Sequence, residues 1–260
     1  MDAGMWRADG WDARTRLGVL VPHADVGPES ELAATAPPGV AIHATRVPFA
    51  AMAPGGSMDP TIALAPVRDF AAPPHIDAAA ELLAAAPLDA IGVGFTSHAY
   101  AIGAAAEAAM VRRLETVTRG IPVVSPGLAF GDALAALGAR SVFLVHPPWF
   151  DAELAELGRA YLEGTGAEVV RSASAALPSD QRAITPDGLH DWVAAKAPAG
   201  AEAVVIGGNG FRAVGAVEAI EATLGIPVVT ANQALMWALL RAAGADPSAV
   251  AGHGRLFGTG

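Results

Sequence analysis

Hydrophobic and polar positions along this chain alternate between two kinds of segment. Short apolar runs rich in Val, Ile and Leu are separated by longer stretches of Ala, Leu and Glu, in which apolar positions recur with helical spacing. A parallel strand is buried on both faces and is joined to the next strand by a crossover helix, so this alternation is typical of a parallel sheet flanked by helices. The pattern therefore predicts an α/β fold.

The same pattern sets approximate bounds for each element. Strands are expected near residues 17–21, 40–45, 90–94, 122–124, 142–145, 168–171, 203–206 and 227–229. Helices are expected near residues 29–36, 76–85, 104–118, 129–137, 151–164, 186–197, 212–224 and 232–243. Segment 48–74 is rich in Pro, Gly and Met and lacks periodicity, which predicts a long loop. A loop of that length is either a functional lid or a variable surface segment.

One strand, loop and helix occur twice in the chain. Residues 89–97 read DAIGVGFTS and residues 202–210 read EAVVIGGNG. Each segment is followed by a predicted helix and then by the sequence GIPVV, at 120–124 and at 225–229. The repeat predicts two similar half-domains that face each other, with Phe95 and Gly208 at equivalent places.

A second pair of similar segments locates the start of each half. RLGVLVPH at 16–23 is matched by RSVFLVHP at 140–147. We therefore expect two pseudo-symmetric Rossmann-like half-domains, 16–139 and 140–260, preceded by an N-terminal tail over residues 1–15. Whether the terminal helix packs on its own half or on the other is left open.

Four predicted strand ends converge between the two halves. They lie at residues 22–25, 95–98, 146–149 and 207–210. Ligands of parallel sheets bind beyond the carboxyl ends of the strands. The cleft between the half-domains is therefore the expected binding site.

Composition narrows the possible functions. Hydrophobic residues make up 53% of the chain and charged residues 16%, which excludes a disordered protein. The net charge of −10, without a Lys/Arg cluster, argues against a nucleic-acid partner. The chain has no cysteine, which excludes disulfides and thiol nucleophiles. No apolar stretch is long enough to span a membrane and the N-terminus lacks a signal-peptide core, so a cytoplasmic location is expected.

Two predicted loops carry groups suited to an anionic ligand. Thr96 and Ser97 follow a strand and precede a helix, where hydroxyl and backbone N–H groups can bind a carboxylate or an enediolate oxygen. Plain turn capping is the alternative. Gly208, Asn209 and Gly210 form a turn that lets backbone approach a ligand closely, or else simply a tight structural turn.

Three histidines also fall at converging strand ends, namely His23, His98 and His146. Imidazole titrates in the range needed for proton transfer, although a histidine in a loop is more often structural. With Asp25 they would offer ligands to a metal, but their spacing matches no short metal motif. We therefore expect no metal.

Several of these segments resemble the aspartate/glutamate racemase superfamily, in its branch of maleate cis-trans isomerases and arylmalonate decarboxylases. The resemblance is carried by RLGVLVP at 16–22 with the acidic helix after it, by Thr96-Ser97 and by the closing GHGRLF at 252–257. Its most specific part is EATLGIPVVTANQALMWALLRAAG at 221–244. The resemblance implies a cofactor-free fold that binds a small carboxylate between its halves.

The resemblance also implies which positions face the substrate. The two family cysteines fall at Phe95 and Gly208, so both thiols are replaced. Asp25 occupies the place of a carboxylate-binding Asn, where it would be a general base, a helix cap or a sign that the substrate is less anionic than maleate. Arg46 resembles an Arg at the edge of the family site. Arg46 and Arg212 are each either a carboxylate clamp or half of a surface ion pair.

The activity implied by the resemblance is a cofactor-independent lyase, decarboxylase-like, or an isomerase. It would act on a small carboxylic acid through an enediolate-like intermediate. Because both thiols are absent, we expect Asp25, His98 or His146 to carry the proton. Two alternatives stay open: a catalytically silent carboxylate-binding protein of the same fold, and a hydrolase or hydratase that uses Asp25 or a histidine. No membrane partner is expected, and a homo-oligomer is left open.

Overall fold

Two four-stranded parallel sheets form the framework of the molecule, as seen in a computed structural model that describes residues 9–259. The strand order is β2-β1-β3-β4 in the first sheet and β6-β5-β7-β8 in the second, so the two halves have the same topology. Helices flank both sheets. The predicted fold class, two pseudo-symmetric α/β half-domains, is confirmed.

The elements have the following bounds. The strands are β1 Thr15–Pro22, β2 Val40–Val47, β3 Ala90–Val93, β4 Val123–Val124, β5 Ser141–His146, β6 Glu168–Ser174, β7 Ala203–Ile206 and β8 Val228–Thr230. The helices are α1 Gly27–Thr35, α2 Leu64–Ala71, α3 His75–Leu83, α4 Ser97–Ile102, α5 Ala104–Val117, α6 Pro126–Leu137, α7 Ala152–Gly164, α8 Pro186–Lys196, α9 Val217–Leu224 and α10 Ala231–Ala242.

Three helices differ from the expectation. Residues 97–102, which were expected to belong to a loop, form the short helix α4. The segment predicted as a loop over 48–74 contains α2, whose buried face includes Val67 and Phe70. The helix predicted over 212–224 begins only at Val217, after the short 3₁₀ turn Val214–Ala216. Around α2 and α9, local Gly, Pro and Ala residues obscured the period on which the prediction depended, and α4 is too short to show one.

The last long helix, α10, packs on the first sheet although it follows the last strand of the second. It lies against β3 and β4. At Gly92 of β3, a Cβ atom would lie only 3.0 Å from the Cδ1 atoms of Leu235 and Leu239. Because a side chain at Gly92 would push α10 away, this glycine allows the close packing that joins the two halves.

The N-terminal tail expected over residues 1–15 lies mostly outside the described residues, and β1 already begins at Thr15. Within residues 9–259, no helix combines the length and the apolar character needed to cross a bilayer.

Candidate active site

A small cavity lies where the four strand ends meet. Residues from both half-domains line it: Pro22, Asp25, Phe49, Met52, Met58, Ile62, Phe95, Ser97, Trp149, Gln181, Gly208, Asn209 and Gly210. The predicted convergence of the loops after β1, β3, β5 and β7 is therefore observed. Among the described residues, the lining is mostly apolar and Asp25 is its one ionisable group.

The cavity is almost filled by its own walls. It leaves about 10 Å³ for the centre of a water-sized molecule, which is room for one water at most. Phe49, Met52, Met58 and Ile62 close it from the segment that precedes α2. The Ile62 N–H donates to the Trp149 carbonyl at 3.0 Å, so this segment is bound to the opposite half. The segment therefore covers the cleft from one side.

Phe95, which the resemblance places at the first family cysteine, packs mainly against the covering segment. Its ring centroid lies 4.7 Å from that of Phe49 and 4.4 Å from that of Phe70. Aromatic pairs at such distances are favourable beyond the area they bury. Phe95 therefore makes one wall of the cavity apolar and also holds the covering segment and α2 in place.

Asp25 is the buried carboxyl of the cavity, with 3% of its surface exposed. Its Oδ1 accepts the Gly27 N–H at 2.8 Å, at the start of α1, and its Oδ2 accepts from Gln181 Nε2 at 3.2 Å. Burial raises the pKa of Asp25, against the opposing effects of these hydrogen bonds and of the Arg46 charge. One oxygen thus binds the first N–H of α1, while the other lies beside Gly210 in the cleft.

A chain of amide hydrogen bonds fixes Asn209 at the second loop. The Thr96 hydroxyl donates to Asn209 Oδ1, and Asn209 Nδ2 donates to Asn232 Oδ1 at 2.8 Å. Asn232 Nδ2 in turn donates to Glu31 Oε2 at 2.7 Å. Because Thr96 and Glu31 belong to the first half and Asn209 to the second, the chain links the two loops and determines which end of the Asn209 amide faces each neighbour.

Glu31 anchors the far end of this chain. Its other oxygen accepts the backbone N–H groups of Ala213 and Val214 at 2.7 and 2.9 Å. Burial raises the pKa of Glu31, while the bonds from Asn232 and the backbone oppose that shift. The carboxyl thus holds α1 against the turn that precedes α9.

Backbone geometry explains the glycines of the second loop. Gly208 has φ +87°, and a Cβ there would lie 2.4 Å from Pro147 Cγ. At Gly210 a Cβ would lie 2.0 Å from Gln181 Nε2 and 2.6 Å from Asp25 Oδ2. A side chain at either position would displace its neighbours, so the glycines let the loop pass close to Pro147, Gln181 and Asp25.

Ser97 presents a free hydroxyl to the cavity. It lines the cavity from the first turn of α4 and, within residues 9–259, its side chain makes no hydrogen bond. A hydroxyl that is not consumed by the protein is available to donate to a ligand oxygen. Thr96, by contrast, already donates its proton to Asn209.

His98 and His146 are completely buried and do not line the cavity. The His98 ring contacts the Phe95 carbonyl and Ser125, and burial lowers its pKa, opposed by the charge of Glu107. His146 contacts Ser172 through Nε2 at 2.9 Å, and burial lowers its pKa to about 4. Their catalytic assignment stays a prediction, and the contacts of both rings are with core groups.

The remaining cationic and imidazole candidates lie at the rim or outside it. His23 is exposed, and its Nδ1 accepts the Phe49 N–H at 3.1 Å. Arg46 donates to the Asp25 carbonyl oxygen at 2.7 Å and pairs with Glu29 on the surface. Arg212 is exposed and does not line the cavity. Arg46 therefore binds the backbone carbonyl of Asp25 and acts on the Asp25 carboxyl only through its positive charge.

In the described part of the chain, no three His, Asp or Glu side chains are arranged to hold a metal ion. Of the His, Asp and Glu residues between 9 and 259, only Asp25 lines the cavity.

Sequence reasoning missed two polar residues of the site. Gln181 comes from a 3₁₀ turn in an irregular stretch, and no pattern pointed to it. Asn232 lies in the segment 221–244, which carried the strongest family resemblance, so a signal for it existed. Its partners Asn209 and Glu31 are distant in sequence, and only the folded chain shows the contact.

Comparison with known proteins gives two kinds of match. The family model for arylmalonate decarboxylase matches residues 70–257. None of the curated proteins matches the chain by sequence. Solved structures match over almost the whole length, at levels of identity that establish the fold.

Three of these structures illustrate the likeness. A variant of the maleate isomerase Iso from Pseudomonas putida with maleate has a TM-score of 0.81 at 23% identity, covering 94% of this chain and 97% of that chain. A liganded double mutant of arylmalonate decarboxylase has a TM-score of 0.78 at 22% identity. The match covers 94% of this chain and 98% of that chain. The third structure is a mutant of the maleate cis-trans isomerase from Nocardia farcinica with a covalently bound succinylcysteine intermediate. Its TM-score is 0.77 at 24% identity, and the match covers 94% of this chain and 98% of that chain.

Proposed function

Because the chain belongs to the arylmalonate decarboxylase family, we propose that it is a cofactor-independent lyase of the decarboxylase type, with Asp25 as its proton donor. The observation that carries the proposal is the position of Asp25, the one ionisable group that lines the cavity between the two repeated loops. Decarboxylation requires a single proton donor. Racemisation requires two opposed groups, and the cavity offers only one.

The raised pKa of Asp25 supports this role. A protonated carboxyl is a general acid and does not repel an anionic substrate, whereas an ionised one would. Gln181 and Gly27 hold its two oxygens, so the donor is oriented before substrate arrives. After each turnover the Asp25 carboxylate takes a new proton from solvent.

The proposed reaction begins with a malonate-type acid. The bond between the α-carbon and one carboxylate breaks, carbon dioxide leaves, and the bonding electron pair remains on the other carboxylate as an enediolate. The Ser97 hydroxyl and the backbone of Gly208 and Gly210 stabilise that charge. Asp25 then donates its proton to the α-carbon and gives the product acid.

The lining also indicates the class of substrate. Aromatic and thioether side chains surround Asp25, including Phe49, Phe95, Met52 and Trp149. Such walls suit an acid that carries an aryl or alkyl substituent and oppose a dianion without an apolar part, such as maleate. We therefore propose substituted malonic acids as substrates.

The test is turnover in deuterated water. Purified protein is incubated with phenylmalonate, methylphenylmalonate, malonate and maleate, and products are followed by NMR. We expect monoacid from the substituted malonates with one deuterium at the α-carbon. Asp25→Asn keeps the cap on Gly27 but cannot donate the proton, so kcat should fall by roughly 10²–10⁴-fold.

Asp151→Asn is the matched control, because Asp151 also accepts a backbone N–H at a helix start, that of Leu154 at 2.7 Å, and lies outside the cavity. It should leave kcat unchanged. A wild-type protein without turnover on all four acids would contradict the proposal, as would an Asp25→Asn variant that is as fast as wild type.

The closed cavity favours one second candidate, a catalytically silent protein that binds a small carboxylate. A site that has lost its reaction is expected to be filled, and this cavity has room for one water at most. It is also expected to have lost its catalytic groups, and the ring of Phe95 stands at the first family thiol position. This candidate predicts that phenylmalonate shifts the amide resonances of Ser97 and Asn209 without forming product. The same NMR samples therefore separate the two functions.

A further inference from the structure

A buried polar chain lies beneath the first loop, outside the cavity. It joins Glu107 of α5, Ser125 at the start of α6 and His98 of α4, and all three are 1% exposed or less. Ser125 Oγ contacts Glu107 Oε1 on one side and His98 Nε2, at 3.2 Å, on the other. His98 Nδ1 contacts the carbonyl oxygen of Phe95.

The chemistry of these contacts fixes how many protons the chain holds. A carbonyl oxygen only accepts, so Nδ1 of His98 must carry a hydrogen. Glu107–Ser125 and Ser125–His98 are two further links, and each needs one hydrogen between its heavy atoms. Ser125 supplies one hydrogen, and Glu107 and His98 together must supply the other. Glu107 and His98 therefore share one proton and are neutral as a pair, whichever end holds it.

Among the ion pairs of residues 9–259, none includes Glu107. Its Oε1 accepts the N–H groups of Gly127 and Leu128 at 3.1 and 3.4 Å, and its Oε2 accepts from the Tyr161 hydroxyl. Burial raises the pKa of Tyr161, and the charge of Glu107 raises it further, so this phenol stays protonated and donates. A lone buried carboxylate would be costly, which gives the shared proton a structural reason.

The end of the chain determines the orientation of one peptide group in the site. In a trans peptide the C=O and N–H groups point in opposite directions, so the bond from His98 to the Phe95 carbonyl turns the Thr96 N–H to the other side of the loop. Within residues 9–259 that N–H donates to no group. In the sequence Thr96 lies between Phe95 and Ser97, and both of these residues line the cavity.

We infer that Glu107, Ser125 and His98 are positioning residues, which hold the Phe95–Thr96 peptide so that its N–H is presented to an anionic ligand. His98 then acts on the ligand through the backbone and not as an acid or base. The part of this inference that concerns catalysis rests on the proposed function. The number of protons in the chain and the orientation of the Phe95–Thr96 peptide do not depend on that function.

The experiment is NMR on protein labelled with ¹⁵N-histidine and, separately, with ¹⁵N throughout, at pH 7. We expect a His98 Nδ1–H that exchanges slowly with solvent. Ser125→Ala removes the bridging hydroxyl, and Glu107→Gln cannot share a proton. Each should accelerate exchange of the Nδ1–H and of the Thr96 amide by at least about tenfold, because an open link lets the loop fluctuate.

Two controls distinguish positioning from a general loss of stability. Ser125→Thr keeps the hydroxyl, and Ser125 borders an open groove between α6 and α10, so this variant should exchange as wild type does. Glu221→Gln removes another buried carboxylate that accepts backbone N–H bonds, from Val228 and Arg255, and should leave Thr96 unaffected.

A wild-type His98 without a hydrogen on Nδ1 would overturn the inference. So would Ser125→Ala and Glu107→Gln proteins, folded by circular dichroism, in which Thr96 exchanges at the wild-type rate. The measurement uses no substrate, so its result stands whether or not wild-type protein decarboxylates phenylmalonate.

Discussion

His146 offers a quantitative test of the distinction between core histidines and proton carriers. The ring is completely buried between Tyr100 and Phe150, and within residues 9–259 its Nδ1 has no hydrogen-bond partner. Burial lowers its pKa from 6.5 to about 4. In the unfolded chain the imidazole takes a proton near pH 6.5, and in the folded chain only near pH 4. The unfolded state therefore binds more protons between these values, and stability falls as the pH falls.

The size of the effect follows from the two pKa values of His146. Relative to pH 7, the wild-type free energy of unfolding should drop by about 2 kcal/mol at pH 5 and by about 3 kcal/mol at pH 4. His146→Gln keeps a polar group near Ser172 but cannot ionise. Its free energy of unfolding lacks this contribution, so the wild-type advantage over the variant should shrink by the same amounts.

The assay is urea unfolding of both proteins at pH 7, 6, 5 and 4. Only the pH dependence of the difference between the two free energies of unfolding is used. The packing loss in His146→Gln and the titration of other groups then cancel. A difference that stays constant to within about 0.5 kcal/mol from pH 7 to pH 5 would refute the reasoning, since His146 would then titrate alike in both states. That result would restore His146 as a candidate proton carrier.

Two further predictions concern contacts across the cleft. Gly210→Ala places a methyl group against Gln181 and Asp25 and should lower the free energy of unfolding by about 1–3 kcal/mol. Adding Gln181→Ala should recover part of this loss, as measured by thermal unfolding. If Gly210→Ala alone were as stable as wild type, the packing described would be contradicted. Asn232→Asp sets a carboxylate against that of Glu31 and should cost about 3 kcal/mol at pH 7. Because the like charges raise the folded pKa of the pair, this cost should diminish towards pH 5, and a cost independent of pH would refute it.

The fold was predictable because its signals are local. Short apolar runs located the strands, and the repeat of 89–97 at 202–210 located the two loops that form the site. Parallel strands end at one edge of a sheet, so the convergence of four loops followed without knowledge of any contact. Asp25, Ser97 and Asn209, which line the cavity, belong to these loops.

The direction of side chains was not predictable to the same degree. His98 lies only two residues beyond Thr96, but α4 has already begun there, and its ring faces Ser125 in the core. His146 is the last residue of β5, where successive side chains point to opposite faces of the sheet. Position at a strand end therefore identified the loop without identifying which side chains reach the cavity. Gln181 reaches Asp25 across 156 residues of sequence, a contact for which no local pattern exists.

The packing of α10 on the first sheet has a consequence for the order of folding. Residues 231–242 are synthesised after every strand, yet Leu235 and Leu239 fill the face of β3 at Gly92. In a nascent chain that ends before α10, this face of β3 lacks the side chains that cover it in the native protein. The half-domain that leaves the ribosome first therefore cannot complete its core until the second is nearly finished. We therefore expect the two halves to become native together, and not in the order of their synthesis.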